Sequence, residues 1–142
     1  MFFSGATGDN AAFINGFFEP TQEKGLDGRV LYAKRGDASM CIEHRTGDWE
    51  VKTVSNKGKG YCWAHVAGGC GLEACTSRVW RLDDGTPGPH DDAPSVKLVA
   101  GAEAERQETQ VAAEAHSHVS LRHHFQLMLL LLHLFHQLVS VF

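Results

Sequence analysis

Two glycine-centred breaks, Arg35-Gly36-Asp37 and Thr46-Gly47-Asp48, constrain the fold of this chain more than any other feature. They divide the stretch from Arg29 to Val54 into three apolar segments: Val30 to Ala33, Met40 to Ile42 and Trp49 to Val54. Each break offers a glycine for a backbone that must turn with positive φ, and an aspartate that can bond its own main chain. The third segment alternates, with Trp49, Val51 and Thr53 on one side and Glu50 and Lys52 on the other, as in a half-buried strand. Two successive hairpins follow, and so a β-meander.

The pattern extends in both directions. Residues 1 to 12 read as an irregular lead-in, Ala12 to Pro20 as a strand with a bulge at Asn15-Gly16, and Thr21 to Gly28 as a polar loop. Beyond the meander, Tyr61 to Ala67 forms a strand with Tyr61, Trp63 and His65 on one face and Cys62, Ala64 and Val66 on the other. Ser77 to Asp83 forms the last strand. About six short strands with closely spaced turn signals indicate a mainly β fold, a small antiparallel meander arranged as a barrel or sandwich. Trp49, Trp63 and Trp80 are its expected core anchors, because aromatic residues alternating along strands are normally buried.

Composition changes near Gly85. Thirteen of the fifteen glycines, all four cysteines and all three tryptophans precede residue 86. The expected organisation is a small β domain over residues 5–85, a Pro-rich linker over 86–97, a polar Ala/Glu-rich helix or disordered segment over 98–120, and an apolar C-terminal helix over 121–142. A β unit of this size buries only about 60% of the surface its unfolded chain exposes, so a neighbouring unit or partner would add to its stability.

The run from Phe125 to Phe142 carries no formal charge. As a helix it extends about 27 Å, against the ~30 Å of a hydrocarbon core. A spanning anchor, an interfacial or protein-docking helix and a non-functional extension all remain open. Gln126, His133, Gln137 and Ser140 form one polar stripe, and Leu127, Met128, Leu131, Leu134, Phe135 and Leu138 are the residues expected to contact a membrane. Six histidines between His116 and His136 would strengthen attachment to anionic lipid on charging near pH 6. The N-terminus has no positive n-region or long apolar run, so the expected location is cytoplasmic, with membrane association through the C-terminus if the tail attaches.

Charge excludes one partner class. Residues 1–85 hold ten basic and eleven acidic side chains and the rest hold three and six, with no basic face for nucleic acid. Cys41 and His44, and again Cys62 and His65, share a C-x-x-H spacing, and Cys70 and Cys75 add thiols, which raises a zinc site. On a strand, residues i and i+3 point to opposite faces, so neither pair closes on one ion without a sharp bend. No cofactor is expected. Arg35-Gly36-Asp37 also spells an adhesion tripeptide, but each residue suits a turn. No G-x-S-x-G, H-E-x-x-H or G-x-G-x-x-G is present, and an enzyme is not expected. A pocket joining Cys62 or Cys75 to a histidine would reverse that expectation.

Five motifs taken together carry a resemblance. They are Ile14-Asn15-Gly16-x-Phe18-x-Pro20-Thr21, Val30-x-Tyr32-x-Lys34-x-Gly36-Asp37, Trp49-x-Val51, Lys57-Gly58 and Trp80-x-Leu82-x-Asp84-Gly85. Over Gly5 to Gly85 the chain resembles an uncharacterised β repeat of about 80 residues found in multidomain proteins of algae, oomycetes and other protists. The resemblance implies a non-catalytic interaction module for a protein or glycan ligand and brings no catalytic residue. The alternatives are a membrane-attached display module localised by its C-terminal helix, and a Cys/His metal-dependent factor.

Overall fold

Both glycine breaks are hairpin turns. Gly36, at φ 79°, joins strand β3 (Val30–Lys34) to β4 (Asp37–Arg45). Thr46 and Gly47, both with positive φ, join β4 to β5 (Asp48–Thr53), the paired left-handed conformation that matches the twist of a tight hairpin. The computed structural model describes the backbone of residues 1–82, 91–93 and 95–139, with the side chains of 91–93, 117–121, 123–125, 127 and 130–139 outside the description.

Around this meander lie β1 (Phe2–Ser4), β2 (Gly16–Lys24), β6 (Ala64–Ala67), β7 (Trp80–Leu82), β8 (Asp91–Ala93) and β9 (Lys97–Val99). Among the described residues they form one antiparallel sheet in the order β8-β7-β6-β5-β4-β3-β2-β1-β9. The two ends of that order are consecutive in the chain. Ala93 and Lys97 are four residues apart and can be separated by at most ~15 Å, whereas eight strand spacings on a flat sheet would place them roughly 38 Å apart. The sheet therefore rolls up until it is nearly closed. Phe3 of β1 meets Trp80 of β7 edge to face at 4.7 Å and Phe18 of β2 at 5.6 Å, and Gly5 lies so close to the Ser95 carbonyl that a β-carbon would stand 1.9 Å from it.

The core lies inside this roll. Phe3, Phe18, Met40, Ile42, Val51, Leu72 and Trp80 are completely or almost completely buried. Trp49 is also buried, within one cluster with Trp80; Trp63 packs at its margin, stacked on Phe13 at 5.3 Å.

Several elements differ from the sequence expectation. The lead-in contains β1, because Phe2 and Phe3 pair with Phe17 and Gly16. Where a bulged strand was expected, Ala11–Ile14 forms the short helix α1, whose last carbonyls are bonded by Lys34 Nζ, and β2 begins only at Gly16 (φ 132°). It then runs to Lys24 through the expected loop. Tyr61 is exposed and outside β6. The expected boundary at residue 85 falls inside the sheet, since β8 and β9 lie within the 86–97 span and its edge; residues 83–90 and 94 are outside the described residues.

Helix α2 (Gly101–Val139) follows β9. Met1–Glu108 and Thr109–Phe142 are two compact units. In the first, Ala104 is buried and Glu108 bonds Arg35. In the second, the membrane expectation needs correction. Among the described residues no helix is long and apolar enough to cross a membrane. Gln126, His133, His136 and Gln137 interrupt the leucine run, which was already short for a bilayer. That finding corrects the expected anchor, the membrane contact through 121–142 and the membrane-associated location. Met128 is exposed; the side chains of Leu127, Leu131, Leu134, Phe135 and Leu138 are outside the described residues.

Candidate functional site

Three loops gather at one end of the sheet: Gly25–Arg29 between β2 and β3, Thr46-Gly47 between β4 and β5, and the Gly-rich loop that leaves β6 at Gly68. His44, near the end of β4, ties them together. Its Nδ1 bonds Asp27 Oδ2 in the first loop, and its Nε2 bonds the Gly68 carbonyl in the third at 2.9 Å. Gly68 N in turn donates to Gly47 O at 2.9 Å, linking the second and third. Arg29 adds a clamp, donating to the Cys70 carbonyl at 2.5 Å and to that of Gly69, and Trp49 Nε1 donates to the Cys70 carbonyl at 3.0 Å.

Asp27 faces opposing influences. Burial pushes its carboxyl up, but the Arg29 amide at 3.1 Å, His44 and the Arg29 guanidinium outweigh burial and hold it below the usual carboxylate range. Leu26, Asp27, His44, Arg45, Thr46 and Gly58 line a cavity of about 260 Å3. Leu26 stands at its rim with 85% of its surface in solvent. Gly58 approaches Leu26, and Arg45 reaches Gly60, next to the exposed Tyr61. A second depression, of about 380 Å3, lies over β5, β6 and β7 and is lined by Asp48, His65, Ala67, Arg78, Val79 and Arg81 among others.

The cysteines and histidines expected near one another are dispersed. Cys41 is buried on the face of β4 opposite His44, and burial, with the nearby Glu43 charge, pushes its thiol up to about 11. Cys62 precedes β6 and His65 lies on the outer face of that strand. Among the described residues no three His, Cys, Asp or Glu side chains are grouped to hold a metal ion. Cys75 and His44 do both reach Gly68, but the ring nitrogen that could take a thiol proton is bonded to the Gly68 carbonyl. Burial also pushes the Cys75 thiol up. The adhesion tripeptide is likewise engaged: Arg35 pairs with Glu19 and Glu108 and covers the Phe17 ring at 4.2 Å, while Asp37 accepts from Ser39.

On the outer face of β4 and β5 sits a feature that sequence reasoning missed. Lys52, completely buried, pairs with Glu50 and with Glu43 at 3.2 Å and donates to the Lys59 carbonyl at 2.7 Å. Glu43 also accepts from Gly58 N at 2.9 Å, and Arg45 reaches Glu50 at 3.4 Å. These bonds hold the segment after β5 against the sheet and fix one wall of the loop-end cavity at Gly58.

Comparison with protein-family models, with curated proteins and with solved structures finds no match to this chain.

Proposed function

We propose that the chain is a non-catalytic β interaction module that presents its three-loop end to a protein or glycan ligand. One observation carries the reading: an almost wholly exposed leucine, Leu26, borders a cavity whose polar walls are already immobilised by His44, Asp27 and Arg29. Loops held on a rigid scaffold are the usual place for recognition. A surface ordered before it meets a ligand loses less conformational entropy on binding. An apolar rim beside Arg45 suits a ligand with both an apolar face and hydrogen-bonding groups, as sugars and peptides have. The repeat-like motifs are consistent with this role, since Tyr32, Trp49, Val51 and Trp80 build the scaffold and Lys57-Gly58 belongs to the segment that forms a cavity wall.

The test is a glycan array and a peptide-library screen with wild type and Leu26→Asp. The expected result is a ligand whose binding falls by at least about tenfold in the variant, a loss of 1.4 kcal/mol, at unchanged thermal stability. Ligands bound equally well by Leu26→Asp and by Arg45→Ala would overturn the assignment.

A further inference from the structure

The Gly-rich loop that closes the platform carries a pair of thiols that no binding role explains. Cys70 ends the Gly68–Cys70 run, and Cys75 ends the 3-10 turn Leu72–Cys75 that follows it. Cys75 is completely buried in the core cluster, and half-buried Cys70 packs against the same cluster. The Cys75 sulfur lies directly beneath the loop. A β-carbon added at Gly68 would stand 2.8 Å from it, and the thiol donates to the Gly71 carbonyl at 3.9 Å. Cys41, by contrast, lies across the sheet on the outer face of β4.

We propose that Cys70 and Cys75 are a redox-active pair, which exchange with a small-molecule disulfide converts into an intramolecular disulfide that fixes the Gly68–Gly71 loop. Cys70, the more exposed, reacts first. Its thiol releases a proton to water and the sulfur attacks one sulfur of the external disulfide, whose S–S bond breaks. One small thiolate leaves and takes up a proton. Cys75 then releases its proton and attacks the Cys70 sulfur of the mixed disulfide, expelling the second thiolate. Two cysteine thiols are oxidised by two electrons, and one external disulfide is reduced to two thiols.

Cys75 belongs to the core cluster against which Cys70 packs, and burial together with the neighbouring Cys70 pushes the Cys75 thiol up. Cys75 is therefore unreactive alone and serves as the resolving group. The bridge acts on the platform because the carbonyls of Gly68, Gly69 and Cys70 are the acceptors for His44, Arg29 and Trp49. This inference does not depend on a ligand.

The full chain is incubated with oxidised glutathione under native conditions, remaining thiols are alkylated, and the protein is cleaved after Glu73, between the two cysteines. The expected product is a pair of peptides, one with Cys70 and one with Cys75, joined with the loss of two hydrogens and separated by reduction. The link persists in Cys62→Ser and disappears in Cys70→Ser. Cys75→Ser leaves Cys70 carrying one glutathione. Should a variant fail to fold, fragmentation of the wild-type linked pair locates the bridge directly. A link that survives Cys70→Ser, fragments that place the bridge at Cys62, or glutathione adducts with no link would each overturn the proposal.

Discussion

The two faces of the β4–β5 ribbon are equally buried and chemically opposite. Inward, Met40, Ile42, Trp49 and Val51 join the apolar cluster. Outward, Glu43, Glu50 and Lys52 are withdrawn from water in a hydrogen-bonded charge cluster. The register sets them back to back: Ile42 pairs with Val51, and the adjacent Glu43 pairs with Glu50. The inward face is held by dispersion and transfer from water, which respond gradually to lost atoms. The outward face is held by mutual compensation. Two carboxylates opposite one another repel, and the ammonium between them is what allows both to be buried.

Removing that ammonium should break the contrast most sharply. Lys52→Met leaves Glu43 and Glu50 facing each other without the buried ammonium they share, Arg45 touching only Glu50 from the partly exposed edge, and should cost about 3–5 kcal/mol in urea denaturation. Replacing Glu43 and Glu50 by Gln and Lys52 by Met together should restore much of that loss, because no buried charge is then left. A triple variant as unstable as the single one would show that the cluster acts through its shape. The inward counterpart is gentler. Ile42→Val removes one buried methylene and should cost about 1 kcal/mol, with the denaturant slope unchanged.

How far the sequence foretold this depends on which partners are local. The hairpins were legible because Gly36 and Gly47 mark them within a few residues. The alternation in Trp49 to Thr53 correctly separates two faces, but a half-buried strand assumes water on the polar side. That assumption fails because the segment after β5 folds back, with Gly58 and Lys59 bonded to Glu43 and Lys52. β1, β8 and β9 are each three residues long and have no pattern of their own; they exist because the rolled sheet offers edges for them. The loop end was missed for the same reason. Asp27 and His44 lie seventeen residues apart, and only the β2–β3 and β4–β5 turns falling at one end of the roll brings them together.

Asp27 extends the comparison to a charge pair that is partly open to solvent, and the expected effect is the smallest. Its carboxyl is held below the usual range in the folded state, so the folded protein binds its proton less readily than the unfolded chain does. The stability this confers is therefore fully present above the ordinary aspartate value of 3.8 and is lost as the pH falls through the lower folded value. Melting temperatures of wild type and Asp27→Asn should differ at pH 6 and converge only as the pH falls through the lower folded value, where the wild-type carboxyl also becomes neutral. Salt should narrow the gap at pH 6 but leave the penalty of Lys52→Met nearly unchanged, because screening reaches exposed charges far more than buried ones. Equal melting temperatures of wild type and Asp27→Asn at pH 6 would mean that His44 holds the loops through Gly68 alone.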